Sequence, residues 1–352
     1  MITERVLFIN IIKQCNMHCD RCYLTESSRK NGEILEFTTL ETILTSSWAR
    51  DCNLTLIWEG GEASLAGREH FREMVKKASV ICPGAKQTMV SNLFSLPNWL
   101  IKLSHEYFNG KIETTLSLDG KYDLSKNRDN FLKKFKDNFI KARKANLFCP
   151  INLELNDHTV KLGASALVDF LTPLGDCRVE FDVSVDFEQF LAEPAYTLHS
   201  YPILPLTTSY ANFSSFVRNF DQEIVKRELG LQITSSIIEE MRDGLKSSMF
   251  GIQRSSDFLT INPDGNITTN PLFSDLRPTY LGNVKHEDIE AILSCQKRSR
   301  FVRHEIRKTL GCMDCQFFDL CAGGPSHAAT FDGSGECAGM KQLRIDLQGT
   351  SK

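Results

Sequence analysis

Between residues 6 and 187, short apolar runs alternate with longer stretches that are apolar on one side only. The short runs predict strands at 6–12, 53–59, 86–91, 111–118, 148–155 and 177–187. The longer stretches predict helices around 38–50, 67–80, 97–107, 128–145 and 163–171. In the fourth of these helices Phe131, Phe135 and Phe139 recur every four residues with lysines opposite, the stripe of a helix that buries one face. Six strands alternating with helices imply parallel strands joined by right-handed crossovers. Six are too few to close an eight-stranded barrel, so the pattern predicts an α/β fold, a partial (β/α)6 TIM-like barrel. In such a barrel the loops at the C-terminal strand ends carry the chemistry.

Further along, residues 188–210 hold Pro194, Pro202 and Pro205 with Tyr196, His199, Tyr201 and Tyr210. They read as a long aromatic loop, a wall of a binding site or a packing segment. Residues 212–247 read as two helices. Near 258–269, Phe258-Leu259-Thr260-Ile261 and Ile267-Thr268-Thr269 flank Pro263-Asp264-Gly265, which predicts a β-hairpin. The expected domain plan is a barrel over 1–210, a helical linker over 211–250 and a small tail domain over 251–352.

Composition changes this picture little. The chain has 352 residues, 41% hydrophobic and 24% charged, with a net charge of −3. This is an ordinary globular balance, with no basic excess pointing to nucleic acid. No apolar run reaches the ~20 residues of a membrane span. Met1-Ile2-Thr3-Glu4-Arg5 leads into the first strand without a signal-peptide pattern, so a cytoplasmic location is expected.

Twelve cysteines in a chain of this length do not suggest a disulfide scaffold. Cys52, Cys82, Cys149, Cys177 and Cys295 are scattered and read as buried thiols. Cys15, Cys19 and Cys22 stand as Cys-x3-Cys-x2-Cys just after the first strand. Three thiolates hold a [4Fe-4S] cube, which takes four ligands, with one iron left open. A zinc site completed by His18 is the alternative. Cys312, Cys315, Cys321 and Cys337 form a second group near the end, four thiolates that suit either a fully ligated cluster or a structural zinc.

With these residues in view, the chain resembles the radical SAM superfamily and, more narrowly, its SPASM-containing branch. The resemblance rests first on the loop Cys15-Asn16-Met17-His18-Cys19-Asp20-Arg21-Cys22-Tyr23. It rests next on Trp58-Glu59-Gly60-Gly61-Glu62 at the end of the second strand. It implies that an open iron chelates the amino and carboxylate groups of S-adenosylmethionine (SAM). Reductive cleavage there gives a 5'-deoxyadenosyl radical, chemistry that belongs to the cofactor. Gly60, Gly61 and Glu62 resemble the Gly-Gly-Glu motif that binds the methionine ammonium, with glycines that let backbone approach the ligand. Val90-Ser91-Asn92 and Ser117-Leu118-Asp119-Gly120 resemble the family's third- and fourth-strand motifs. That places Asn92, Ser117 and Asp119 along the ribose and methionyl carboxylate. Relatives usually carry an aromatic residue where this chain has Arg21.

The tail series Cys312-x2-Cys315-x5-Cys321, followed by Cys337, resembles the SPASM domain, as do Asn262-Pro263-Asp264-Gly265 and Leu281-Gly282-Asn283-Val284. Full SPASM domains bind two auxiliary [4Fe-4S] clusters. Here three positions of the first auxiliary cluster carry no cysteine: Pro325, Asn270 and the stretch Arg254-Ser255-Ser256. The resemblance therefore implies one auxiliary cluster, held by the four cysteines that remain.

The SPASM branch is rich in enzymes that modify peptides. The expected function is hydrogen abstraction from a ribosomally made precursor peptide, installing a crosslink, a thioether or an epimerised centre. Flavodoxin or ferredoxin is the expected electron donor. It would dock on the basic stretch Lys297, Arg298, Arg300, Arg303, Arg307 and Lys308, in which Glu305 is the only acid. The alternative is a small-molecule dehydrogenase or epimerase acting on a sugar or cyclitol, some of which have a one-cluster tail. The absence of an N-terminal leader-binding extension counts against the peptide reading. A sulfatase-maturing activity is less expected, because those members place an aspartate base directly after the hairpin cysteine and this chain has Asn270-Pro271. Asp182, Asp186, His199, Tyr201 and Asn270 are within reach of a substrate, with no ground in the sequence for ranking them.

Overall fold

The computed structural model describes residues 3–192, 201–246 and 256–349. Six parallel strands form its central wall: β1 (Thr3–Ile12), β2 (Cys52–Gly60), β3 (Lys86–Ser91), β4 (Glu113–Leu116), β5 (Ile151–Leu155) and β6 (Cys177–Val183). They lie side by side in chain order. Ile9 pairs with Trp58 and Asn10 with Glu59, and a bulge between Asn10 and Ile12 turns the end of β1.

Alternation along each strand divides core from cavity. On β2 the side chains of Leu54, Leu56 and Trp58 are buried. Phe71 of the helix Arg68–Ile81 packs edge-on against Trp58, ring centroids 5.7 Å apart. The opposite face of β2 presents Ile57 and Glu59 to the barrel interior. The phenylalanine stripe behaves as its spacing predicts: Phe131, Phe135 and Phe139 of the helix Arg128–Lys144 are all buried, with neighbouring rings about 6.0 Å apart.

The expected linker proves to be part of the barrel wall. Its first helix, Tyr210–Lys226, packs along Ala164–Leu171. Between its two helices, β7 (Ile233–Ser235) pairs in parallel with β6. Three residues are too short a run to read as a strand, yet Ile233 is buried and extends the sheet.

The tail is also joined to the barrel rather than set apart. β8 (Phe258–Ile261) pairs in parallel with β1 and antiparallel with β9 (Asn266–Thr268). β9 in turn pairs with β10 (Gly282–Asn283), completing one ten-stranded sheet. A buried polar network crosses this seam. Asn10 Nδ2 donates to Asn262 Oδ1 and Ser274 Oγ, both at 2.8 Å, and Lys13 Nζ lies 2.8 Å from Asp275 Oδ1. Among the described residues, no helix is long and apolar enough to cross a membrane.

Candidate active site

The loop that leaves β1 is stitched to the barrel rim by main-chain bonds. His18 N donates to Tyr122 O and Asp20 N to Gly120 O, each at 2.8 Å, and Met17 bridges to Asp123. On the other side Cys15 N donates to Arg29 O at 3.1 Å, while Arg29 Nη1 reaches Cys19 O at 3.3 Å. Arg21 turns the loop with a φ of 59° and forms a 2.8 Å ion pair with Asp157. That pair ties the cysteine loop to the loop after β5, at the position where relatives of this sequence type carry an aromatic ring.

Fixed in this way, Cys15, Cys19 and Cys22 line a single cavity of about 480 Å³ at the C-terminal strand ends. Gly60, Gly61, Asn92, Ser117 and Asp119 line it too, so the sequence-predicted residues of four separate loops converge on one space. Burial raises all three thiols, pushing Cys19 to about 12; at Cys15, the neighbouring Cys19 and Glu62 add to the effect. Thiols held protonated in this way are converted to ligands when a metal centre supplies the opposing charge. Among the described residues no three His, Cys, Asp or Glu side chains converge as they would around a single metal ion. The reading of this loop as a cluster-binding site therefore rests on the shared cavity and the three-thiol spacing.

Gly60 and Gly61 serve the cysteine loop first. A Cβ on Gly60 would stand 2.1 Å from Ile12 O, and one on Gly61 2.3 Å from both Lys13 O and Gln14 O. The double glycine lets the end of β2 close on the start of the loop, through Gly61 N to Ile12 O and Glu62 N to Gln14 O, both 3.0 Å.

Glu62 lies directly after the two glycines. It is buried and does not line the cavity. Its carboxylate accepts from Ser64 Oγ at 2.8 Å, Ser91 Oγ at 3.2 Å and Asn92 N at 3.0 Å. Burial raises its pKa and these donors oppose the rise. Glu62 thus ties the ends of β2 and β3 together beside Cys15. Asn92 Nδ2 in turn holds Asn16 Oδ1 of the cysteine loop at 2.9 Å.

Ser117 Oγ donates to Asp119 O, and Asp119 Oδ2 lies 3.0 Å from His158 Nδ1. His158 was not foreseen; it follows from the short helix Asp157–Leu162 that begins just after β5. Further into the barrel Glu59, Glu113, Glu154 and Asp182 share the cavity. Burial, reinforced by Glu113, pushes Glu59 up to about 8, and its Oε1 has no hydrogen-bond partner among the described residues. Asp182 is raised to about 6 by burial and Glu154. Strand alternation could have pointed to Glu59, which follows buried Trp58 and must face inward.

Of the unranked candidates among the described residues, Asp182 lines the cavity. Asp186 instead accepts from Gln189 N at 2.9 Å, and His199 lies outside the described residues. Tyr201 and Asn270 belong to a packed cluster where the cysteines of a first auxiliary cluster are missing. The Tyr201 ring meets Phe273 and Phe301 at 5.5 and 5.1 Å, and its hydroxyl contacts Ser326 Oγ at 2.9 Å, next to Pro325. Asn270 Oδ1 accepts from Leu272 N at 3.0 Å. Side chains thus fill the space near Asn270 and Pro325; Arg254 and Ser255 lie outside the described residues. From this side the tail contributes Pro271, Leu272 and His327 to the barrel cavity.

In the tail, Cys312 and Cys315 share one turn, Cys315 N donating to Cys312 O at 2.9 Å. Cys321 ends the helix Phe318–Cys321 and comes beside Cys337 at Gly339. A Cβ on Gly339 would stand 2.5 Å from Cys321 Sγ and 3.9 Å from Cys337 Sγ.

Comparison with solved structures places this arrangement. Native anSMEcpe with bound AdoMet superposes with a TM-score of 0.72 at 16% identity, covering 98% of this chain and 96% of its own. This chain shares the fold of anSMEcpe. The same fold appears in native anSMEcpe with bound AdoMet and Kp18Cys peptide, with a TM-score of 0.70, 16% identity and coverage of 98% and 96%. It appears again in Streptococcus suis SuiB bound to precursor peptide SuiA, with a TM-score of 0.58, 16% identity and coverage of 94% and 75%. The family described as a 4Fe-4S single cluster domain matches residues 4–140, which include the cysteine loop and the first four strands. No curated protein matches the sequence.

Proposed function

We propose that this chain is a radical SAM enzyme that abstracts hydrogen from a ribosomally made precursor peptide. The observation that carries the reading is the convergence of Cys15, Cys19 and Cys22 with Gly60, Gly61, Asn92, Ser117 and Asp119 on one cavity. In this reading the three thiolates hold a [4Fe-4S] cluster with an open iron, which supplies the electron that cleaves bound SAM. The residues around it bind and orient. Gly60 and Gly61 set the cysteine loop against the methionyl end. Asn92 anchors the loop through Asn16. Ser117 and Asp119, backed by His158, line the ribose side. Asp182 and Glu59, with pKa values raised toward neutrality, are placed to hold or take up a proton from substrate.

A peptide substrate is supported by the fold shared with anSMEcpe and SuiB, each solved with a peptide bound. The tail adds Pro271, Leu272 and His327 to the cavity wall, where a peptide side chain would meet them. A sulfatase-maturing activity is disfavoured because Pro271, and no carboxylate, stands on that wall. A small polyhydroxylated substrate is the second reading, favoured by the Tyr201 packing that leaves the tail with cysteines for one cluster only. The four tail cysteines hold that cluster, and a flavodoxin or ferredoxin supplies electrons.

The test is anaerobic reconstitution followed by incubation with SAM and reductant. The wild-type chain should bind about eight irons, two four-iron clusters, and form 5'-deoxyadenosine. The variant C15A/C19A/C22A should keep about four irons and form none; 5'-deoxyadenosine from that variant would refute the site. With deuterated candidates, label appearing in 5'-deoxyadenosine from a short peptide encoded beside the gene, and not from cyclitols, separates the two substrate readings.

A further inference from the structure

Arg344 is fully buried, on the helix Lys341–Gly349 that follows Cys337. Its Nε donates to Gly339 O at 3.1 Å, but among the described residues neither Nη1 nor Nη2 has a hydrogen-bond partner. It forms no ion pair within 4 Å among the described residues. A guanidinium removed from water without an anion is among the costliest arrangements a fold can hold, and it persists where a counter-charge answers it. The charged or titratable groups whose field reaches it are Cys321, Glu240 and Cys337, with Cys321 the strongest. Gly339, which accepts from Arg344 Nε, is also the residue against which Cys321 Sγ and Cys337 Sγ close. Gly339 is therefore the shared neighbour of the Arg344 guanidinium and two of the four tail thiols.

Resting on the reading of those four cysteines as ligands of one [4Fe-4S] cluster, we infer that Arg344 is that cluster's counter-charge. Its terminal nitrogens donate to the sulfurs on the Cys321 and Cys337 side, and its charge favours the reduced cluster. Four thiolates give an oxidised [4Fe-4S] centre a net double negative charge, and one-electron reduction adds a third. A buried cation stabilises the more negative state and holds the potential up, since net charge and hydrogen bonds to sulfur set cluster potentials. Arg344 is thus a positioning and tuning residue, and it makes the tail cluster an easier electron acceptor.

The experiment uses the C15A/C19A/C22A background, in which the tail cluster is the only one expected. Iron content and an EPR-monitored redox titration are compared for Arg344, R344K and R344M. The inference expects R344M to lower the midpoint by at least a tenfold change in the reduction equilibrium, about 59 mV for a one-electron couple, with R344K between the two. If R344M retains iron and titrates with the wild-type midpoint, Arg344 is a packing residue and the inference fails. If R344M loses iron while R344K keeps it, the loss follows charge and the inference stands. Loss of iron from both would assign Arg344 to shape alone and overturn it. Zinc, or no iron at all, in the Arg344 background protein would overturn the cluster reading itself, and the inference with it.

Discussion

Gly61 stands where the end of β2 meets the start of the cysteine loop, and a single methyl group would break the junction. A Cβ there would meet two carbonyl oxygens of the cysteine loop at 2.3 Å, and both belong to backbone that cannot swing aside. Gly61→Ala should therefore cost the barrel cluster while sparing the tail, leaving about four irons of the expected eight. Glu62 calls for a different expectation. Its carboxylate answers Ser64, Ser91 and the Asn92 amide, so Glu62→Ala leaves buried donors unmet, at a cost of about 1–3 kcal/mol. SAM affinity should then fall together with the denaturation midpoint, whereas a direct ligand contact would lower affinity alone. Glu59 carries a pH dependence. Its pKa rises from 4.5 to about 8 on folding, so the native state keeps a proton that the unfolded chain has released. Stability contributed at this position is present below about 4.5 and lost as pH rises toward about 8. In SAM-free protein, Glu59→Gln should raise the urea midpoint at about pH 8 and change it little at about pH 5.

The helix Arg128–Lys144 gives an element-scale test of the same sequence logic. Its Phe135 is fully buried between Phe131 and Phe139 and also meets Phe170. Phe135→Ala should cost about 3–5 kcal/mol in chemical denaturation without altering the absorbance of the reconstituted clusters. Elements of this kind were legible because each buries one face: the six strands and five helices predicted between residues 6 and 187 each overlap an observed element, although the helix expected over 38–50 ends at Leu44. The site was legible to the extent that its residues sit at strand ends. Cys15, Gly60, Asn92 and Ser117 each follow a strand that could be read. What escaped depends on contacts between elements. β7 is too short to show a period, and the bonds of Glu62 to Ser64, Ser91 and Asn92 join the ends of β2 and β3. His158 reaches Asp119 only because Asn156 starts a helix directly after β5. Spacing along the chain carries no record of such meetings.

At the scale of the whole molecule, barrel and tail share a sheet, and the seam between them is polar and buried. Lys13 and Asp275 are only 11% and 7% exposed as side chains, and Asp275 also accepts from Thr25 N at 2.7 Å. Asp275→Ala would strand the lysine and should cost about 3–5 kcal/mol, loosening tail and barrel in one cooperative transition rather than two. The proposed function needs an electron donor, and the docking face we propose for it is the helix Gln296–Lys308. Two of its cations are already engaged: Lys297 Nζ holds Tyr280 O, and Arg298 holds Leu293 O and Ser256 O. The side chains of Arg307 and Lys308 lie outside the described residues. Arg300 and Arg303 remain exposed, while Glu305, the one acid of the stretch, is buried. An acidic flavodoxin would meet uncompensated positive charge on this face, near the turn that bears Cys312 and Cys315, and such complementarity acts on encounter rate. Reversing Arg300 and Arg303 to glutamate should slow flavodoxin-driven turnover and leave dithionite-driven turnover unchanged. It should also flatten the salt dependence of the flavodoxin rate, because exposed charges are screened over ~8–10 Å at physiological ionic strength. Equal slowing with both reductants would move the effect from donor docking to the fold or the substrate site.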